Sequence, residues 1–162
     1  MKHTHASRWK PILAAALAAM VVAGLGAQIT DLGPWYHALR EPAWKPPDVL
    51  FGPAWTLIFG LAATAGVLGW KALHSRASRL AMCGFFFFNA LFNELWSALF
   101  FRVHRPDWAL LEVGLLWLSI LLLMIVLYRA SKTASWLLLP YLIWVSFAAV
   151  LNLAVVRLNP HT

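Results

Sequence analysis

The sequence predicts an all-α integral membrane protein, a five-transmembrane-helix bundle that forms a single domain over residues 1–162. Two observations predict this class. The chain is 62% hydrophobic and 12% charged, whereas soluble domains are about 45–50% apolar and about 25% charged. The apolar residues also fall into five runs, each close to the ~20 residues that a helix needs to cross a bilayer. These runs leave no room for a separate soluble catalytic or sensor domain.

The runs are predicted to be helical because a backbone exposed to lipid must satisfy its own hydrogen bonds. Unbroken apolar stretches such as Ile120–Leu127 lack the alternation of a β-barrel strand. The net charge of +7 comes from basic residues that flank the runs, which indicates membrane anchors and argues against nucleic acid as a partner. Lys and Arg are more frequent in the N-terminal tail and after the second and fourth spans. The positive-inside rule therefore places the N-terminus inside.

The first span is predicted from about Pro11 to Thr30. A basic start before an apolar run is also typical of a signal peptide, but this run is too long, and Leu25 interrupts the small-residue pattern before Ala27. We therefore expect a retained helix. Small residues recur on it at four-residue spacing, which suits close packing within the bundle or in a dimer. They are Ala15, Ala19, Ala23 and Ala27.

The segment from Asp31 to Leu50 separates the first two spans. Three prolines within six residues prevent it from continuing a helix, and it is long for a connection in a helical bundle. Its aromatic residues suggest a structured lid over one end of the bundle. An interfacial aromatic belt explains the same composition, and both interpretations stay open. The remaining spans are predicted at residues 51–70, 80–101, 108–128 and 135–156.

Polar and aromatic residues share one face in two of these spans. The stripe in the third span contains Asn89, Asn93, Trp96, Ser97 and Phe100, and that in the fifth contains Tyr141, Trp144, Ala148, Leu151 and Asn152. Amide side chains in hydrocarbon must face a neighbouring helix or a cavity. Hydrogen bonds between helices are one explanation, and a ligand pocket with a few polar anchors is the other. The chain's ten tryptophans, several of them inside spans, favour the pocket.

Two acids lie within spans. Glu94 is deep in the third span, where a charge costs at least about 2.5–3.5 kcal/mol, so it is a candidate functional acid as well as a structural one. Glu112, one turn into the fourth span, is expected to reach interfacial water. The single cysteine, Cys83, excludes an internal disulfide, and all six histidines lie in tails or loops. No metal site or catalytic motif is therefore predicted.

Several linked motifs resemble the TspO/MBR family, the tryptophan-rich sensory proteins related to the mitochondrial translocator protein (peripheral benzodiazepine receptor). They are Trp35-Tyr36, Trp44-Lys45-Pro46-Pro47, Phe51-Gly52-Pro53-Ala54-Trp55-Thr56, the run Phe92–Phe101, Leu139–Trp144, Phe147–Asn152 and Arg157-Leu158-Asn159. The resemblance covers the chain from the first span to the C-terminus. It implies a five-helix bundle, often a homodimer, that binds porphyrins such as protoporphyrin IX and haem.

Animal relatives also bind cholesterol and isoquinoline or benzodiazepine drugs. The segment from Val150 to Arg157 lacks the tyrosine of the sterol motif, so sterol-like or drug-like ligands are weaker expectations. The family's pocket positions, together with the two stripes, give the candidate ligand-binding residues. These are Trp35, Tyr36, Trp44, Trp55, Asn89, Asn93, Trp96, Trp108, Tyr141, Trp144 and Ala148.

The resulting prediction is a protein that binds porphyrin or haem in a tryptophan-lined pocket, in tetrapyrrole sensing, regulation or transport. One alternative is a light- and oxygen-dependent porphyrin-degrading enzyme that uses Trp55 and Trp144. Another is a proton-coupled transporter that uses Glu94. Binding is favoured over catalysis, and no cofactor or metal is required. We expect the protein in the lipid bilayer of a bacterial cell membrane, with the outer membrane as the alternative.

Overall fold

The computed structural model describes residues 6–160, and the described chain contains five helices long and apolar enough to cross a membrane. The two ends of the predicted domain 1–162 lie outside this range. Helix α1 (Ala6–Ile29) is followed by a short α2 (Pro34–Ala38) and a 3₁₀ turn (Asp48–Leu50). The remaining helices are α3 (Phe51–Ala72), α4 (Arg76–Ser97), α5 (Pro106–Ala130), α6 (Lys132–Trp136) and α7 (Leu139–Leu158). The all-helical membrane fold is as predicted.

The fifth predicted span is divided into two helices. Helix α6 ends at Trp136, and α7 begins at Leu139 with Pro140 in its first turn. A proline has no N–H to donate and fits the first turn of a helix better than its interior. The predicted span 135–156 lies within the apolar region Lys132–Leu158, but the break after Trp136 was not predicted. The fourth span also begins two residues earlier than predicted, because Pro106 opens α5.

Helix α5 lies at the centre of the bundle. It packs against α4 on one side and α7 on the other, while α1 packs on α3 and α4. Leu123 and Leu127 of α5 are fully buried. In α1, the small residues Ala15, Ala19 and Ala23 are half-buried, whereas Ala27, the fourth residue of the predicted stripe, is exposed. This burial supports their use in packing within the chain.

Close packing between α3 and its neighbours depends on Gly69. A β-carbon added there would lie 2.5 Å from Cδ2 of Leu127 and 2.8 Å from Sδ of Met82. Such distances are far below van der Waals contact. Gly60, on the same helix, has nothing within 4 Å of the same position. Gly69 therefore marks a point of close approach between α3 and the side chains of α4 and α5.

Helix α4 does not end in a regular turn. Residues Ala98–Arg102 form a π-helical segment, in which the N–H of Val103 donates to the carbonyl of Ala98. Two residues later His104 adopts a positive φ of 57°. The Arg102 guanidinium donates to the carbonyl of Gln28, so this end of α4 is joined to the end of α1.

Candidate functional site: a lid over two aromatic clusters

The segment between α1 and α3 contains a compact polar network. The hydroxyl of Tyr36 donates to Asp48 at 2.8 Å, and the ammonium of Lys45 lies 2.6 Å from carboxylate oxygens of both Asp48 and Glu41. The same ammonium sits 4.8 Å from the centre of the Tyr36 ring. Burial raises the pKa of Tyr36 to about 12, so the phenol stays a donor. Burial alone would lower the pKa of Lys45, but its hydrogen bonds to Asp48 and Glu41 outweigh burial and raise it.

Two further contacts attach this segment to the bundle. The ring of Trp35 stacks on His104, with centroids 4.1 Å apart. The side chain of Asn159 accepts from the backbone N–H of Arg40 at 2.9 Å and donates to the Arg40 carbonyl at 3.0 Å. The segment therefore lies across the ends of α4, α5 and α7 in the position of a lid.

We expect replacement of Lys45 by methionine to loosen the lid. The change leaves the carboxylates of Glu41 and Asp48 without their cation, and a partly exposed pair of this kind contributes up to about 1 kcal/mol. Amide hydrogen exchange over residues 36–48 should become about fivefold faster. Arg40→Met is the control, because Arg40 contacts Asn159 through its backbone. Equal exchange in both variants would contradict the role of Lys45.

Aromatic rings form two clusters beneath the lid. The first, which we call the lid-side cluster, consists of Trp35, Tyr36, Trp96, Phe100 and Phe101. Within it Trp96 stacks on Phe100 with centroids 5.4 Å apart. Trp35, Trp96 and Phe101 are only half-buried. Aromatic faces therefore stay within reach of a ligand at this end of the bundle.

The second cluster joins α3 to α7, and we call it the α3–α7 cluster. It consists of Phe51, Trp55, Tyr141, Trp144 and Phe147. Trp55 makes edge contacts with Tyr141 at 6.0 Å and with Trp144 at 6.4 Å. Trp55 and Trp144 are half-buried, so neither stands wholly on the lipid-facing wall. Their edge-to-face arrangement is typical of interacting aromatic rings.

A partly open cavity of about 60 Å³ lies under the lid, lined by four rings of the lid-side cluster and by Phe51 of the α3–α7 cluster. Lid, helix α4 and helix α7 all contribute to its wall. The wall is mainly aromatic and aliphatic, with Lys45 and Glu41 at the lid and Asn152 on α7 as its polar groups. Binding pockets for drug-sized molecules usually measure about 300–1,000 Å³. A large ligand therefore needs the lid to move.

The buried amides of the two stripes are used for hydrogen bonds between helices. Asn89 of α4 donates to Ser119 of α5 at 2.8 Å, and Asn93 donates to the hydroxyl of Tyr141 at 3.2 Å. Asn152 accepts from the indole N–H of Trp96 at 3.2 Å and donates to the carbonyl of Pro106 at 2.9 Å. Of these amides, Asn152 alone also lines the cavity.

The predicted site residues fall into three groups. Tyr36, Trp96 and Ala148 line the cavity. Trp35, Trp55, Tyr141 and Trp144 belong to the adjoining clusters, while Asn89 and Asn93 lie deeper, in hydrogen bonds between helices. Trp44 and Trp108 are about half exposed: Trp44 borders an outer groove of about 580 Å³ along α7, and Trp108 packs under Arg105.

The two acids occupy different surroundings. Glu94 faces α1, where its carboxylate oxygens lie beside Gly26. Glu112 is only 5% exposed, and the carboxylate oxygens of both acids are buried without a hydrogen-bond partner. The expectation that Glu112 reaches interfacial water was wrong, because the residue lies nearly two turns into α5 and faces the bundle interior.

The sequence is similar to that of known proteins along almost the whole chain. The model of the TspO/MBR family matches residues 12–158. The chain belongs to the TspO/MBR family. It is similar to the tryptophan-rich protein TspO of Chlorobaculum tepidum, with 43% identity over 131 residues, which cover 78% of this chain and 80% of that protein.

Relatives of this TspO/MBR protein extend beyond bacteria. The tryptophan-rich protein TspO of Archaeoglobus fulgidus is 36% identical over 150 residues, which cover 91% of this chain and 96% of that protein. The human translocator protein is 30% identical over 126 residues, which cover 77% of this chain and 75% of that protein. The chain is thus a multi-pass membrane protein of the TspO/MBR family.

Proposed function

We propose that this protein binds a porphyrin, such as protoporphyrin IX or haem, between the lid-side cluster and the α3–α7 cluster. The observation that carries the proposal is a lid-covered cavity lined by four rings of the lid-side cluster and by Phe51, through which it adjoins the rest of the α3–α7 cluster. A flat macrocycle gains both apolar burial and ring stacking in such a place. Because the cavity holds only about 60 Å³, the macrocycle enters by displacing the lid.

The propionate groups of the porphyrin would remain near the lid. Lys45 is already paired with Glu41 and Asp48, which weakens it as an anchor. Arg40 is exposed at the lid surface and is the better candidate. This pairing at the water boundary fixes the orientation of the ligand, while the rings supply most of the affinity.

Titration of the purified protein with protoporphyrin IX in the dark tests the proposal. Wild-type protein should show saturable quenching of tryptophan fluorescence. The double variant Trp55→Phe/Trp144→Phe should bind about tenfold more weakly, since a phenyl ring offers a smaller stacking face than an indole and an aromatic contact is worth about 0.5–1.5 kcal/mol. Affinity is read from the change in the porphyrin absorption band, which does not depend on the number of tryptophans.

The matched control is Trp136→Phe. Trp136 is 58% exposed on α6, at the end of the bundle opposite the lid. This variant should bind as the wild type does. Wild-type affinity in the double variant, or equal losses in both variants, would remove the assignment of the site.

Repetition of the titration under illumination separates binding from degradation. Trp55 and Trp144 are in edge contact at 6.4 Å, so an oxidised indole in one could exchange an electron with the other. Light- and oxygen-dependent loss of the porphyrin band, abolished in the double variant, would establish the enzymatic alternative. A stable band supports binding in tetrapyrrole sensing, regulation or transport.

We place this function in a homodimer in the bacterial cell membrane, with the N-terminus inside.

A further inference from the structure

The end of the bundle opposite the lid is strongly basic. Five lysines and arginines lie where α3 and α5 end and where α4 and α6 begin: Lys71, Arg76, Arg79, Arg129 and Lys132. These helix ends meet, because the β-carbon position of Gly69 lies within 3 Å of side-chain atoms of both Leu127 and Met82. Each of the five cations is at most six residues along the chain from one of these three contacting residues. They therefore share one end of the bundle.

No carboxylate balances these charges. The six acids of the chain lie in the lid segment, in the first turn of α5 or within helices: Asp31, Glu41, Asp48, Asp107, Glu94 and Glu112. Glu94 follows Arg79 by fifteen residues on α4, which is about 22 Å at 1.5 Å per residue. This distance is more than twice the Debye length of about 8 Å in physiological salt. The charge of the basic end is therefore uncompensated within the chain.

Two of the five cations are held against aromatic rings. The guanidinium of Arg79 lies 4.8 Å from the centre of the Trp70 ring, and its Nε donates to the Leu73 carbonyl at 2.8 Å. The ammonium of Lys132 lies 5.6 Å from the centre of the Tyr128 ring. Tryptophan and tyrosine at the ends of membrane spans sit at the depth of the lipid headgroups. These contacts therefore keep both cations at headgroup level.

We propose that this basic end binds the headgroups of anionic phospholipids such as phosphatidylglycerol. Lys71, Arg76 and Arg129 are exposed, and the ion pairs of the described residues involve none of them. Their charge therefore remains for lipid phosphates. A cation near the membrane surface strengthens the binding of anionic lipid by up to about fivefold. The proposal is independent of the proposed porphyrin site, which lies at the other end of the bundle.

The position of the cations favours lipid over a soluble acidic protein as the occupant. The connections at this end are short, since residues 73–75 join α3 to α4 and Ser131 alone joins α5 to α6. The cations thus stay close to the ends of the membrane spans. Helix α1 also begins here, because its other end is bonded to Arg102 near the lid. The orientation proposed above places this end at the cytoplasmic leaflet, whose anionic lipids attract basic segments.

Electron spin resonance with spin-labelled lipids tests the proposal. The purified full chain is reconstituted in phosphatidylcholine vesicles, and the immobilised fractions of labelled phosphatidylglycerol and labelled phosphatidylcholine are compared. Wild-type protein should associate about fivefold more strongly with phosphatidylglycerol. In 1 M NaCl most of this preference should disappear, because the Debye length falls to about 3 Å. Arg76→Gln/Arg129→Gln, a change at two exposed positions, should reduce the preference to less than about twofold.

The matched control is Arg102→Gln/Arg157→Gln. It removes the same charge from exposed positions at the lid end, where Arg102 lies 3.8 Å from Asp31, and it should keep the preference. Equal losses in the two double variants would mean that net charge, and not this end, attracts the lipid, which overturns the proposal.

Two other results also overturn it. A wild type without preference would leave the basic end to a soluble acidic partner, and an undiminished preference in Arg76→Gln/Arg129→Gln would place the lipid elsewhere. If that variant fails to fold, Lys71→Gln/Lys132→Gln makes the same test at two other exposed cations. Protoporphyrin titrations on the same samples report separately on the proposed function.

Discussion

Replacement of Asn152 by leucine is expected to lower the stability of the protein more than any other single polar change in the bundle. Asn152 is 1% exposed and joins three helices, through Trp96 of α4 and the carbonyl of Pro106 on α5. The variant leaves the indole N–H of Trp96 without a partner, at a cost of about 1–3 kcal/mol, and it removes the side-chain bond to the Pro106 carbonyl. A fall in Tm of roughly 4 °C or more follows from the usual scaling. Thermal unfolding in detergent measures it.

Ser146→Ala provides the comparison for Asn152→Leu. Ser146 also lies on α7 and also accepts from an indole, that of Trp117 at 2.9 Å, but on the exposed side of the helix. Hydrogen bonds between membrane helices average about 0.6 kcal/mol, so this change should lower Tm only slightly. Similar falls in the two variants would show that Asn152 does not act as a three-helix junction.

Replacement of Gly69 by valine is expected to weaken the packing of α3 on α4 and α5. The first added carbon would already lie 2.5 Å from Leu127 and 2.8 Å from Met82, and both of these side chains are buried, so they must shift within the core. Forced overpacking of this kind costs about 1–3 kcal/mol. Loss of the monodisperse peak in size-exclusion chromatography, or a lower Tm, would report it.

Two further variants make the result for Gly69 specific. Gly60→Val places the same side chain on the same helix where nothing lies within 4 Å, and it should leave the chromatographic peak and Tm near those of the wild type. Adding Leu127→Ala to Gly69→Val should restore part of the lost stability, because it removes the atom in closest contact. If the two glycine variants behave alike, helix propensity rather than packing is responsible.

The sequence predicted the helical architecture well because membrane spans are a matter of length and apolar composition. Hydropathy cannot show where a span is interrupted, so the break between α6 and α7 was missed, although Pro140 marks it. Depth was misjudged for Glu112 for a related reason. Helix α5 begins at Pro106, whereas hydropathy placed Pro106 and Asp107 in the preceding loop. Glu112 was therefore predicted to lie nearer the start of the helix than it does.

The site was harder to predict than the fold. An asparagine on a helix face looks the same whether it meets a ligand or a neighbouring helix, and Asn89 and Asn93 meet helices α5 and α7. The bond between Tyr36 and Asp48 joins residues twelve positions apart across a proline-rich turn, which no helical period reveals. The sequence pointed to the lid network only in that Lys45 lies four residues after Glu41 and three residues before Asp48.

The π-helical segment at the end of α4 allows one side chain, that of Trp96, to contact two aromatic rings instead of one. In an ordinary α-helix, residue i+4 follows residue i on the same face and residue i+5 is turned away by more than a quarter circle. A π turn accommodates one residue more. Trp96 accordingly meets Phe100 at 5.4 Å and Phe101 at 6.1 Å. Deletion of one residue between Ala98 and Arg102 would return the helix to its ordinary pitch and swing one of these phenyl rings out towards the lipid tails.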